Sequence, residues 1–173
     1  MKTTFQKSVL LFFLIFSSCW REDDLLRNER EDYIGDNLQT EGFYYYYFEG
    51  EIRGVTFLYR NGICFEITGD GNKRANPEEV KTLLTEAHIE YHRKRKASWG
   101  IFRVMGNTFF KEKWTPPSHG SRATVIESGH ILNNSSFLIT KRNDSQEGIK
   151  DSNRTYYFYP YSPKPDSTNV FIK

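Results

Sequence analysis

From Gly42 onward, apolar and polar residues alternate with the two-residue period of strands, interrupted once by a helical pattern. "GFYYYYFEG" predicts a first strand and "GVTFLYRNGICFEI" a hairpin. A two-residue Asn61-Gly62 turn would set Phe57 opposite Glu66. A three-residue loop, Arg60-Asn61-Gly62, instead sets Tyr59 opposite Ile63, Phe57 opposite Phe65 and Val55 opposite Ile67. Those apolar side chains then share one face, and Thr56 and Glu66 share the other. Gly62 takes the left-handed position such a loop requires. Register follows the hydrophobic face, so the three-residue loop is the expectation.

The interruption reads as a helix. Asn76 suits an N-cap, Pro77 the first helical position, and Glu78 and Glu79 the positive end of the helix dipole. Val80, Leu83, Leu84, Ala87 and Tyr91 form an apolar stripe, and His92-Arg93-Lys94-Arg95-Lys96 complements the negative end. The pattern predicts one inserted helix over about 77–96. Strands resume with "SWGIFRV", "TFFKEKW", "RATVIES", "HILNNSSFLITKR" and "RTYYFYPY", with Asn133-Asn134 breaking the fourth of these. A two-residue loop after Met105 pairs Trp99 with Trp114, and a three-residue loop pairs Phe102 with Phe110. Pro160 places the last strand at an edge or ends it there. Short strands separated by turns predict a mainly β chain: an antiparallel barrel or strongly curved sheet, with the helix packed over one end or face.

The opening residues follow another logic. Lys2 and Lys7 flank the start of an apolar run, Val9 to Phe16, too short to cross a bilayer, which needs ~20 apolar residues. Ser17, Ser18 and Cys19 follow, in the order of a secretory signal peptide. Phe16-Ser17-Ser18-Cys19 resembles the lipobox of bacterial lipoproteins, with Phe16 where Leu is usual. The resemblance implies cleavage before Cys19, a diacylglycerol on its sulfur and an acyl chain such as palmitate on its amino group. Two or three chains anchor stably where one does not. The run Glu22, Asp23, Asp24 resembles the surface-export signal of lipoproteins from Bacteroidota-type bacteria; taken only as charge, it is a solvated tether. The expected organisation is a lipoprotein signal peptide at 1–18, a charged tether at 19–38 and an antiparallel β domain at 39–173.

Composition narrows the class. Without Lys2 and Lys7 the 24 basic residues become 22, equal to the 22 acidic ones, so the mature chain lacks the footprint of a nucleic-acid binder. Cys19 and Cys64 are its 2 cysteines; with Cys19 lipidated, no intrachain disulfide supports the fold. Cys64, inside a strand pattern, reads as a small buried hydrophobe. The 11 Tyr and 14 Phe are a heavy aromatic load, suited to strands. "WGIFRVMGNTFFKEKW" resembles hairpins of small lipocalin-like lipoproteins, which implies a barrel or half-barrel without a defined ligand.

Candidate chemistry is sparse. His88 and His92 share a helix face, but Ile89 stands where a zincin needs Glu, and no third ligand is near in sequence. His119 and His130 lie beside turns without a nucleophile elbow. Glu49 and Glu51 do acid–base work only inside a cleft. "GDGNKRAN" lacks the ligand spacing of a calcium loop. The reading is therefore a non-enzyme without metal or cofactor, anchored to the outer membrane by its lipid and exposed on one of its faces. Its contact residues are Tyr44, Tyr45, Tyr46, Tyr47, Trp99 and Trp114. They serve either a small apolar or amphipathic ligand in a barrel, or an envelope protein or glycan docked on the sheet surface.

One outcome tests the anchor directly. Cys19→Ala is expected to abolish acylation, measured by mass spectrometry of the processed chain, and to shift much of the protein out of the detergent-soluble membrane fraction.

Overall fold

The sheet has no free edge. In the computed structural model, which describes residues 22–68, 74–118 and 121–173, the strands are β1 (Gly42–Phe48), β2 (Glu51–Leu58), β3 (Ile63–Thr68), β4 (Trp99–Met105), β5 (Thr108–Trp114), β6 (Thr124–Asn133), β7 (Ser136–Asp144) and β8 (Gly148–Pro160). Each pairs antiparallel with the next, and β8 returns to β1, closing the barrel. Closure satisfies every ladder without an exposed edge strand. The β2–β3 register is the expected one, with Val55 opposite Ile67, Phe57 opposite Phe65, and the Tyr59 amide bonded to the Ile63 carbonyl at 3.0 Å. Gly62 sits at φ 74°. In the β4–β5 hairpin Met105 pairs with Thr108, so the two-residue loop holds and Trp99 and Trp114 start and end it. Pro160 ends β8 opposite Gly42.

The two faces of the wall are both buried, in opposite senses. Tyr44, Leu58, Cys64, Phe102, Phe109, Phe137, Ile139 and Tyr156 fill the barrel. The apolar hairpin face, Val55, Phe57, Tyr59, Ile63, Phe65 and Ile67, points outward into a second core. Thr56 and Glu66, the polar face, point inward. What covers the outer core is α1 (Pro77–Leu83), α2 (Glu86–Arg93) and the C-terminal tail, through Val80, Leu84, Ile89, Tyr161, Phe171 and Ile172.

The expected single helix is therefore two. Asn76 caps α1 through the Glu79 amide, as predicted. The pattern breaks at Leu84, and Thr85 caps a new helix by accepting from the His88 amide at 3.3 Å. A threonine hydroxyl competes for backbone donors and so favours caps over helix interiors. The restart rotates the stripe: Ile89 and His92 turn inward, while Ala87 and Tyr91 are exposed.

Residues 22–38, expected as a tether, form a strap along the barrel wall. The Glu112 carboxylate accepts the backbone amides of Arg27 and Asn28 at 2.8 and 2.9 Å, and the Asn28 side chain at 2.7 Å. Tyr33 and Leu38 then bury themselves across the end that carries the β2–β3, β4–β5 and β6–β7 turns. The Tyr33 ring meets Phe102 at 5.6 Å, its amide donates to the Arg60 carbonyl at 2.7 Å, and the Leu38 amide donates to its hydroxyl at 2.7 Å. This is the capped end; the end with the β1–β2 and β7–β8 turns is the far rim. Charge content alone suggested a solvated segment, but the Asp23 and Asp24 carboxylates and the Arg27 and Asn28 amides have partners on the folded domain.

Tyr33→Ala removes the ring that closes the capped end. It is expected to cost about 3 kcal/mol in urea unfolding and to raise the hydrogen-exchange rate of the Tyr33 and Leu38 amides far more than that of the β5–β6 ladder.

Candidate functional site

Strand alternation divides the four tyrosines of β1. Tyr44 and Tyr46 point into the barrel: Tyr44 donates to the Gln39 carbonyl at 3.0 Å, and Tyr46 lies 5.0 Å from the Tyr156 ring. Tyr45 and Tyr47 point outward, with ring centroids 5.6 Å apart and nearly perpendicular. Tyr157, the register partner of Tyr45 on β8, adds a third ring 6.0 Å from it. Tyr47 is 41%, Tyr157 43% and the neighbouring Phe48 53% exposed. Burial and the Tyr47 hydroxyl push the Tyr45 phenol up, so it remains neutral. This cluster gives an apolar wall with wet hydroxyl edges, the surface character enriched at protein contacts.

The two tryptophans lie elsewhere. Trp99 is buried in the outer core, 4.6 Å from Phe65, and donates its indole N–H to the Arg93 carbonyl at 2.8 Å. Trp114 is buried beneath Lys96, whose Nζ lies 4.5 Å above its ring, and donates to the Asp24 carbonyl at 2.7 Å. Neither borders the tyrosine cluster. Trp114 does form part of a groove of about 500 Å³ between strap and tail, with Leu25, Leu26, Ile101, Phe171 and Ile172. Tyr157 was missed in the sequence because "RTYYFYPY" carries tyrosines at both parities, and only the β1–β8 register shows which one faces Tyr45.

The barrel interior is occupied by its own side chains. Phe109 and Phe137 stack at 4.1 Å, and Phe137 and Tyr156 at 4.7 Å. Toward the far rim the filling becomes ionic. Lys111 has no exposed side-chain surface; its Nζ lies 2.7 Å from Glu127 Oε2 and 3.0 Å from Glu66 Oε2. Lys113 approaches Glu66 at 2.9 Å, and Arg154 donates to the other oxygen of Glu127. Burial alone would raise both carboxyls, but Lys111 above all, with Lys113 and Arg154, holds them below the usual range. Burial would likewise lower Lys111, yet Glu127 and Glu66 raise it well above an ordinary lysine. Cys64 beside them is a thiol that burial pushes up to about 12, which makes it inert. A sequence signal for this cluster existed: Lys111 and Glu127 fall on the parity of Phe109 and Val125.

Among the described residues no group of three or more His, Cys, Asp or Glu is placed to hold a metal. His88 and His92 lie 4.9 Å apart, and burial, with the charges of His88 and Arg95, pushes His92 down to about 4. Asp23 pairs with Lys96 at 3.0 Å and Arg122 at 3.3 Å, and the Asp24 carboxylate accepts from the Ser145 hydroxyl at 2.8 Å. Glu22 is exposed. Cys19 lies outside the described residues, as do the signal peptide and His119. Compared with protein-family models, curated proteins and solved structures, the chain matches none.

Lys111→Met strips two buried carboxylates of their shared cation and is expected to cost about 3–5 kcal/mol in urea unfolding. Adding Glu66→Leu and Glu127→Leu should return only part of that loss, since the apolar replacements relieve the unpaired carboxylates but leave Lys113 and Arg154 without theirs. Both folded carboxyls titrate below their unfolded value of roughly 4.3. Their contribution is therefore present above that value and lost as pH falls through the folded ones. Melting temperatures should drop steeply below about pH 4 in the wild type and less steeply in the triple variant.

Proposed function

We propose that the chain is a lipid-anchored protein of the bacterial outer membrane that works by binding rather than catalysis, docking an envelope protein or glycan through the outer wall of β1 and β8. The observation that carries this reading is the ring cluster of Tyr45, Tyr47 and Tyr157 on the outer wall, with Tyr47 and Tyr157 exposed. Tyrosine offers large rigid contact area with few rotatable bonds. A filled interior favours this surface over a ligand inside the barrel, where Phe109, Phe137 and Tyr156 already occupy the space. Cys19 supplies the anchor. Glu22, Asp23 and Asp24, if they direct export, are read before folding, because Asp23 and Asp24 are engaged in the folded domain. A second reading, a small amphipathic ligand, draws its support from the groove between strap and tail, where Leu25, Leu26 and Trp114 meet Phe171 and Ile172.

Tyr47→Ser and Tyr157→Ser together should leave the melting temperature within a few degrees, because these two rings are exposed, while Tyr45→Ser should cost more, because Tyr45 also packs against the outer core. A photo-crosslinking residue at position 47 or 157, in cells of the native host, is expected to give one discrete adduct. The same residue at position 61 or 134 on the capped end should not, and the other two serine substitutions should abolish the adduct. An adduct with no dependence on position or on the tyrosines would overturn the docking reading. A small molecule seen by native mass spectrometry and lost with Leu26→Asp would favour the groove instead.

A further inference from the structure

The point at which the strap meets the barrel decides how the domain stands on its membrane. Asp23 accepts from the Arg122 amide at 2.8 Å and pairs with Lys96 at 3.0 Å. The Asp24 amide donates to the Arg122 carbonyl at 2.9 Å, its carbonyl accepts from Trp114 at 2.7 Å, and its carboxylate accepts from Ser145 at 2.8 Å. Arg122 lies in the β5–β6 connection and Ser145 in the β7–β8 turn, so the clasp is at the far rim. Four Cα steps separate Asp23 from Cys19. Fully extended, they reach roughly 14 Å.

We propose that the far rim rests on the lipid surface, with Phe48 and Ile149 at the headgroup boundary and the capped end facing away. The proposal rests on the reading of Cys19 as acylated. Phe48, beside the β1–β2 turn, is 53% exposed, and Ile149, beside the β7–β8 turn, 69%. These hairpins are neighbours on the rim, because β8 pairs with β1. Apolar exposure by itself does not choose the end: Ile34, Met105 and Leu132 near the capped end are 95%, 58% and 54% exposed. The clasp chooses. A lipid held within roughly 14 Å of Asp23 brings the far rim to the surface, whereas the capped end lies a barrel's length away. In the two hairpins, over 48–53 and 141–151, the formal charges are Arg53, Lys141, Arg142 and Lys150 against Glu49, Glu51, Asp144, Glu147 and Asp151, slightly acidic, so docking depends on the anchor and apolar tips and not on anionic lipid.

The test uses the full, processed protein in vesicles of neutral phosphatidylcholine carrying headgroup spin-labelled lipid. Cys64 is buried and Cys19 acylated, so a fluorophore goes only to a cysteine introduced by Phe48→Cys, Ile149→Cys, Asn61→Cys or Asn134→Cys. Expected is severalfold stronger quenching at 48 and 149 than at 61 and 134. Equal or reversed quenching in a protein whose mass shows acylated Cys19 overturns the orientation and leaves the anchor standing. A mass without the diacylglycerol overturns the anchor reading, and the orientation with it. Asp23→Asn with Asp24→Asn releases the clasp without touching Cys19. It should lower quenching at 48 and 149 at unchanged acylation, and unchanged quenching would overturn the clasp as what sets the orientation.

Discussion

A lysine without exposed surface, held between two carboxylates, is the constraint around which this barrel closes. Lys111 from β5, Glu66 from β3, Glu127 from β6 and Arg154 from β8 meet inside one ladder system. The Arg154 guanidinium also lies 5.2 Å over the Tyr46 ring of β1. Burying such a cluster is costly, and its attraction roughly repays that cost. Its larger consequence is register. A slip of one residue in any of these strands turns its charge outward and leaves the others unpaired in the interior. That loss is several kcal/mol, enough to discriminate one closure from its neighbours.

The aromatic load has a related explanation. A domain of this size without disulfides needs much apolar burial, and the barrel supplies two sites for it. Tyr44, Phe102, Phe109, Phe137 and Tyr156 fill the inside, and Phe43, Phe57, Phe65 and Trp99 lie outside beneath the helices and tail. The outer layer continues along β1 past the point where its cover stops. Tyr47 and Tyr157 are that uncovered margin, with Tyr45 half-buried at its border. Tyr47 and Tyr157 bury little of their rings in folding, so stability does not account for large rings there, and this is what motivates the proposed docking role.

Local patterns carried the strands, because a hairpin's register and its turn residues lie within one short window. Arg60-Asn61-Gly62 is legible for that reason, and so is the Asn76 cap. Which face points inward is a property of closure. The hairpin pattern separates two faces of β2–β3 without saying which is inside; the apolar one is the outer core because helices cover it and Glu66 finds Lys111 inside. The helix broke where Thr85 preferred a cap, a choice that depends on where His92 packs. The strap was hardest to foresee. Its partner Glu112 is an ordinary outward strand position, 84 residues from Asn28. Of the candidate contacts, Tyr45 and Tyr47 are on the exposed patch, while Tyr44, Tyr46, Trp99 and Trp114 are held by the fold.

The strap changes what an anchor can do. A free coil of the 20 residues from 19 to 38 would have an end-to-end distance of about 25 Å and let the barrel tumble over its membrane. Docked through Glu112, Asp23 and Asp24, residues 23–38 become part of the folded domain, which leaves four Cα steps between the clasp and Cys19. On the proposed anchoring at Cys19, a domain restrained in this way would present its β1–β8 wall at nearly constant height and tilt. A partner in the same membrane, as proposed, would meet Tyr45, Tyr47 and Tyr157 with little orientational freedom left to lose, and confinement would raise its effective concentration. Under those conditions a small patch of three rings would need less intrinsic affinity than one that captures a partner diffusing in from solution.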